Sequence, residues 1–143
     1  MSSLRLSYPK LSPAAYAGLI ACKNALESSV LSPELVELVY LRVSQINGCA
    51  FCLEMHTAAL RKRGMVQEKL DALAGWRVSE RFSDRERAAL EWTEAVTQLS
   101  AQNTDEATWQ RVKAHFSDAE MSDLTIAAGL MNAFNRIAVS LRQ

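Results

Sequence analysis

The chain has 143 residues and 49% apolar content, enough for one hydrophobic core and too little length for two ordinary independent domains. Sixteen Lys and Arg balance sixteen Asp and Glu, so no net field draws the chain to nucleic acid or to an anionic membrane surface. Five Gly and three Pro argue against disorder and against a turn-dense β fold, and the Ala, Leu, Glu and Arg content predicts one all-α domain over residues 1–143.

The stretch from Met1 to Pro9 has no basic segment followed by a long apolar one, so no secretory leader is expected. The longest unbroken apolar run, about Ala14 to Cys22, falls short of the roughly 20 residues that cross a bilayer. A soluble, cytoplasmic protein is the expectation. Serine, proline and glycine then mark off about seven helices, and no segment sustains strand-like alternation. Ser12-Pro13 opens the first, which fades near Glu27 to Ser29. Ser32-Pro33 opens the second, whose apolar face runs to Asn47-Gly48. The third is expected from about Cys49 to Arg63, with the basic Arg61, Lys62 and Arg63 on its C-terminal dipole and Gly64 as the stop.

A short fourth helix is predicted from about Val66 to Gly75, followed by a connector from Trp76 to Phe82. Ser83 and Glu86 form a capping box for a helix reaching Leu99. Asn103 to Glu106 is a weaker box for a helix over about Asp105 to His115, and Ser117 with Glu120 starts a final helix to about Leu141. In that last helix Asn132, Asn135 and Arg136 form a polar face in an apolar element, so they must pair inside the protein, across an interface or beside an active site. Cys22 reads as a core residue, the three tryptophans as core or contact residues, and His115 as a helix-end cation.

Chemistry concentrates in Cys49-Ala50-Phe51-Cys52-Leu53-Glu54-Met55-His56, where two thiols and an imidazole fall on one helical face. Cysteines three apart on a helix have Cα atoms roughly 5 to 5.5 Å apart, within the range a disulfide tolerates. So short a loop adds little stability, which favours a redox couple over a staple. A zinc site would need a fourth ligand and usually a loop rather than one helix face. His56 lies one turn beyond Cys52, which favours Cys52 as the activated sulfur, while Cys49 lies nearer the helix dipole; spacing leaves the choice open. If the second and third helices pack antiparallel, Glu37 arrives level with His56 and can orient its ring, with Glu34 as the fallback one turn earlier.

The pattern Glu37, eleven residues, Cys49-x-x-Cys52, three residues, His56, with Ser44-Gln45-Ile46-Asn47-Gly48 before it, resembles the alkyl hydroperoxidase D-like group of the carboxymuconolactone decarboxylase superfamily. The segment Asn132 to Arg136 is similar to the C-terminal signature of that group. The resemblance implies an all-α thiol peroxidase that needs no cofactor or metal and assembles into trimers or hexamers. It implies Cys52 as the peroxidatic cysteine, Cys49 as the resolving cysteine, and His56 with Glu37 as the proton relay. Partners would be a small hydroperoxide and an external dithiol or disulfide-reductase donor. Phe51 stands where the best-known members carry a second histidine. A dithiol-disulfide oxidoreductase, or a helical oligomer that senses redox state without turnover, are the other functions this pair of thiols can serve.

Overall fold

Serine followed by proline opens two of the long helices, and serine with glutamate three residues on opens two others. A computed structural model of the chain describes residues 3–143; Met1 and Ser2, the start of the segment read for a leader, lie outside the described residues. The helices are α1 (Tyr8–Leu11), α2 (Pro13–Glu27), α3 (Pro33–Asn47), α4 (Ala50–Lys62), α5 (Gln67–Asp71), α6 (Asp84–Thr97), α7 (Glu106–Lys113) and α8 (Asp118–Leu141). Two 3-10 segments, Leu73–Val78 and Leu99–Ala101, join them. The result is a single all-helical domain.

Each of the seven expected helices is present, and the differences have local causes. Tyr8–Leu11 adds a short helix that no apolar periodicity announced. The Ser12 side chain makes no capping bond, so α2 relies on Pro13 alone. Ser32 does cap α3, accepting from the Leu35 amide. Both predicted strong boxes form, Ser83 with Glu86 and Ser117 with Glu120. At α7 the cap is Asp105, whose carboxylate accepts from the Thr108 amide at 2.8 Å, rather than Asn103. The predicted 66–75 helix breaks after Asp71 into a 3-10 segment that runs through Trp76, with Gly75 outside helical geometry at φ −107° and ψ 27°. Part of the expected connector is therefore helical.

α3 is the central element, packed against α4, α6 and α8. One of its faces sends Leu35, Val39 and Val43 into the larger core with Ala89, Leu124 and Met131. The other sends Leu38 and Leu41 into a smaller core with Leu60, Leu73 and Leu90. Burying each such side chain contributes about 1.5–3 kcal/mol, so a helix buried on two sides is the firmest platform in the domain. Cys22 packs against the larger core, as a small apolar residue would. By length and hydropathy α8 has the composition of a membrane span; here its Leu124, Ala127, Ala128 and Met131 pack in the domain core. The N-terminal segment straps over the end of this helix: the Arg5 amide donates to the Leu141 carbonyl at 2.9 Å, and the Tyr8 hydroxyl bonds the Gln143 side chain.

Candidate active site

The turn between α3 and α4 sets the site. Gly48 takes the left-handed conformation, φ 67°, which a side chain would strain, and the chain reverses within one residue. Cys49 then follows as the N-cap of α4 rather than as its first helical residue; its sulfur accepts from the Cys52 amide at 3.4 Å. The Cα atoms of Cys49 and Cys52 are 5.3 Å apart and their sulfurs are joined as a disulfide. Both cysteines are almost fully buried, against Ala138 of α8.

A buried amide network fixes that turn. Asn47 donates through Nδ2 to Oδ1 of Asn132 at 3.0 Å and of Asn135 at 3.1 Å. Asn135 is fully buried and donates to Ser44 Oγ at 3.1 Å, and Ser44 donates to the Tyr40 carbonyl at 2.8 Å. Asn132 also reaches Thr97 of α6 at 3.1 Å, while Arg136 donates to Asn132 Oδ1 at 2.6 Å. The polar face of α8 therefore pairs within the chain, and what it holds is the residue that launches the cysteine helix.

His56, 1% exposed, lies on α4 one turn beyond Cys52. Its Nδ1 is 2.7 Å from Oε2 of Glu37. With Nδ1–H donating to the carboxylate, Nε2 carries the lone pair, and that atom is buried with no hydrogen-bond partner. The Glu37 side chain is 21% exposed, so it joins a buried ring to the surface. Glu34 does not take this place; it lies toward Arg63, 3.7 Å away and exposed. Tyr40, which sequence reasoning missed, stands beside the couple with ring centroids 5.2 Å apart from His56. Burial, followed by the neighbouring Glu37 carboxylate, pushes its phenol far above the usual range, so it stays protonated, and its hydroxyl is buried without a partner. Helical spacing carried a signal for it: Glu37, Tyr40 and Ser44 stand at i, i+3 and i+7 on α3.

A cavity of about 160 Å³ reaches this chemistry. Cys52 and His56 border it, with Phe51, Met55 and Phe134 among its apolar walls; Cys49 does not border it. The access and the dipole thus fall on different sulfurs. Cys52 is the one that meets the cavity, and Cys49 is the one that receives a helix amide.

An all-helical domain whose Cys-x-x-Cys pair opens a helix, with a buried histidine–glutamate couple behind it, belongs to the AhpD-like class of proteins. The chain is a member of the carboxymuconolactone decarboxylase family, whose sequence model matches residues 13–95. It is 31% identical to the uncharacterised protein YdfG of Bacillus subtilis over 97% of this chain and 95% of that one. A crystal structure of an Agrobacterium tumefaciens protein of unknown function, described as a candidate antioxidant defence protein AhpD, superposes with a TM-score of 0.94 at 38% identity, covering 99% of this chain and 97% of that one. A shorter segment of 36 residues is 53% identical to the alkyl hydroperoxide reductase AhpD of Hyphomonas neptunium, covering 25% of this chain and 20% of that protein.

Proposed function

We propose that the chain is a thiol-dependent peroxidase that reduces a small hydroperoxide through Cys52 and Cys49, with His56 and Glu37 moving the proton. The observation that carries this reading is that Cys52 and His56 border one cavity, while His56 Nε2, buried behind it, has no partner. A buried acceptor without a partner costs about 1–3 kcal/mol, so a well-packed domain that keeps one has left capacity for a proton to arrive there.

The cycle runs as follows. Nε2 takes the Cys52 proton, and the carboxylate of Glu37 stabilises the imidazolium through Nδ1–H. The thiolate attacks the terminal oxygen of the hydroperoxide; the O–O bond breaks, the sulfur becomes a sulfenic acid, and the alkoxide takes the proton from His56 and leaves as the alcohol. The Cys49 thiol then attacks that sulfur, forming the S–S bond and releasing water. An external dithiol reduces the disulfide and is itself oxidised, with Cys49 the favoured leaving thiolate because the Cys52 amide already points at it. No metal or organic cofactor takes part in this scheme. Exposed apolar side chains such as Ile126 and Val139 on α8 support assembly with further copies of the chain.

Peroxide consumption by the purified protein with a dithiol reductant tests the reading. Wild type turns over, and Cys52→Ser loses turnover entirely. Cys49→Ser turns over more slowly, because the external dithiol must then reduce the Cys52 sulfenic acid directly. Undiminished turnover in Cys52→Ser would refute the assignment, and reduction of a model disulfide without peroxide consumption would make the protein a dithiol-disulfide oxidoreductase instead.

A further inference from the structure

The cavity beside Cys52 is bordered by one permanently charged side chain that the relay does not use. Tyr16, Ile20 and Lys23 stand at i, i+4 and i+7 on α2, so one face of that helix forms a wall. Lys23 is half-buried, and among the described residues it forms no ion pair. It also borders a polar recess with Glu27 and Glu37, neither of which reaches it closely enough to pair. Phe51, Met55 and Phe134 supply apolar walls, while Tyr8, Tyr16 and Gln143 add polar groups to the lining. The space, about 160 Å³, is close to the roughly 150 Å³ of an engineered protein cavity that accepts benzene. A partly desolvated ammonium outside ion-pair distance of any carboxylate, at the edge of a largely apolar space of that size, favours a ligand with an anionic end and a ring-sized body.

We propose that this cavity selects hydroperoxides with an apolar body about the size of a phenyl ring and a carboxylate that pairs with Lys23. The inference rests on the peroxidase reading for its reacting group, and on the cavity alone for its choice of ligand. The apolar body displaces water from the walls around Cys52. The carboxylate is held at Lys23 and leaves the hydroperoxide free to reach the sulfur.

Two measurements on the reduced full-length protein, wild type and Lys23→Met, separate the two claims. The first compares kcat/KM for the para-carboxy derivative of cumene hydroperoxide with that for its methyl ester. The carboxylate should be preferred by about fivefold, the value of one partly exposed ion pair, with a larger ratio at low salt. Lys23→Met should abolish the preference while keeping turnover of hydrogen peroxide, which has no carboxylate to anchor. Equal values for acid and ester in wild type, or a preference that survives in Lys23→Met, overturn the proposal and leave the peroxidase reading standing.

The second titrates the unreactive para-isopropylbenzoate and para-isopropylbenzamide calorimetrically. Wild type should bind the benzoate about fivefold more tightly, Lys23→Met should bind both alike, and Ile20→Ala should weaken both together. This arm decides the ligand class even if no hydroperoxide is consumed, in which case the peroxidase reading falls by itself. Benzoate bound no better than the amide, or neither ligand bound, overturns the proposal.

Discussion

Two carboxylates face partners along α3, and they are completed differently. Glu94 of α6 accepts from Arg42 Nε at 3.0 Å, from the Trp76 indole at 2.8 Å and from Arg77 at 3.0 Å, so its oxygens are fully engaged. Glu37 accepts from His56, and beyond that bond stand two unpartnered buried groups, His56 Nε2 and the Tyr40 hydroxyl. The first cluster uses buried charge to join α3, α6 and the 3-10 segment. The second leaves a ring nitrogen and a phenol hydroxyl without hydrogen-bond partners in the interior. The saturated cluster ties helices together; the unsaturated one lies beside the cavity that the proposed peroxidase chemistry would use.

The sharpest way to break this contrast is to neutralise each carboxylate in turn. Glu37→Gln should lower kcat/KM for peroxide by about a hundredfold or more while leaving the thermal midpoint nearly unchanged, because a general-base assembly contributes on that scale. If activity persists, the Glu37 cluster is structural like its counterpart. Asn135→Ala, in the saturated amide network, should do the reverse in stability: about 2–4 kcal/mol lost in denaturant titration, since Asn47 and Ser44 lose a partner in a dry interior.

A smaller effect is expected at the second carboxylate. Glu94→Gln should cost about 1–2 kcal/mol and leave peroxide kinetics intact. Burial pushes the Glu94 carboxyl up, but the indole, Arg42 and Arg77 outweigh it and hold it below its ordinary value of 4.5. A depressed folded value means that its stabilisation is complete above about 4.5 and is lost as pH falls through the folded value. Glu94→Gln should therefore flatten the acid limb of the stability curve, read as thermal midpoint against pH. The smallest change is predicted for Tyr40→Phe, which removes an unpaired hydroxyl: stability unchanged or raised by up to about 1 kcal/mol. A clear loss of stability would mean that the phenol has a partner and that the contrast with the Glu94 cluster is overstated.

How far the sequence foretells this arrangement depends on how local each part is. The cysteines, His56 and the two strong capping boxes are set by spacings of three and four residues, and helical geometry fixes them directly. Glu37 needed one further step, the lengths of two helices around the Asn47-Gly48 turn, and the couple at 2.7 Å confirms that arithmetic. The polar face of α8 was recognisable as something that had to pair, but its partner Asn47 is 85 residues away in sequence, and no period connects them. The cavity was not legible at all, because its walls come from α1, α2, α4 and α8 and meet only through tertiary packing. Gly75 misled in a simpler way: it was read as the end of a helix, but the α-helix stops at Asp71 and Gly75 lies inside a 3-10 segment that continues to Val78.

Trapping the first oxidised sulfur tests the central claim most directly. The reduced Cys49→Ser and Cys52→Ser variants are each given one equivalent of hydroperoxide with dimedone present, and the adduct is mapped by peptide mass spectrometry. The account predicts a rapid adduct on Cys52 in Cys49→Ser, slowed strongly when His56→Gln is added, and little or none on Cys49 in Cys52→Ser. An adduct that forms faster on Cys49, or one on Cys52 whose rate ignores His56, would contradict it.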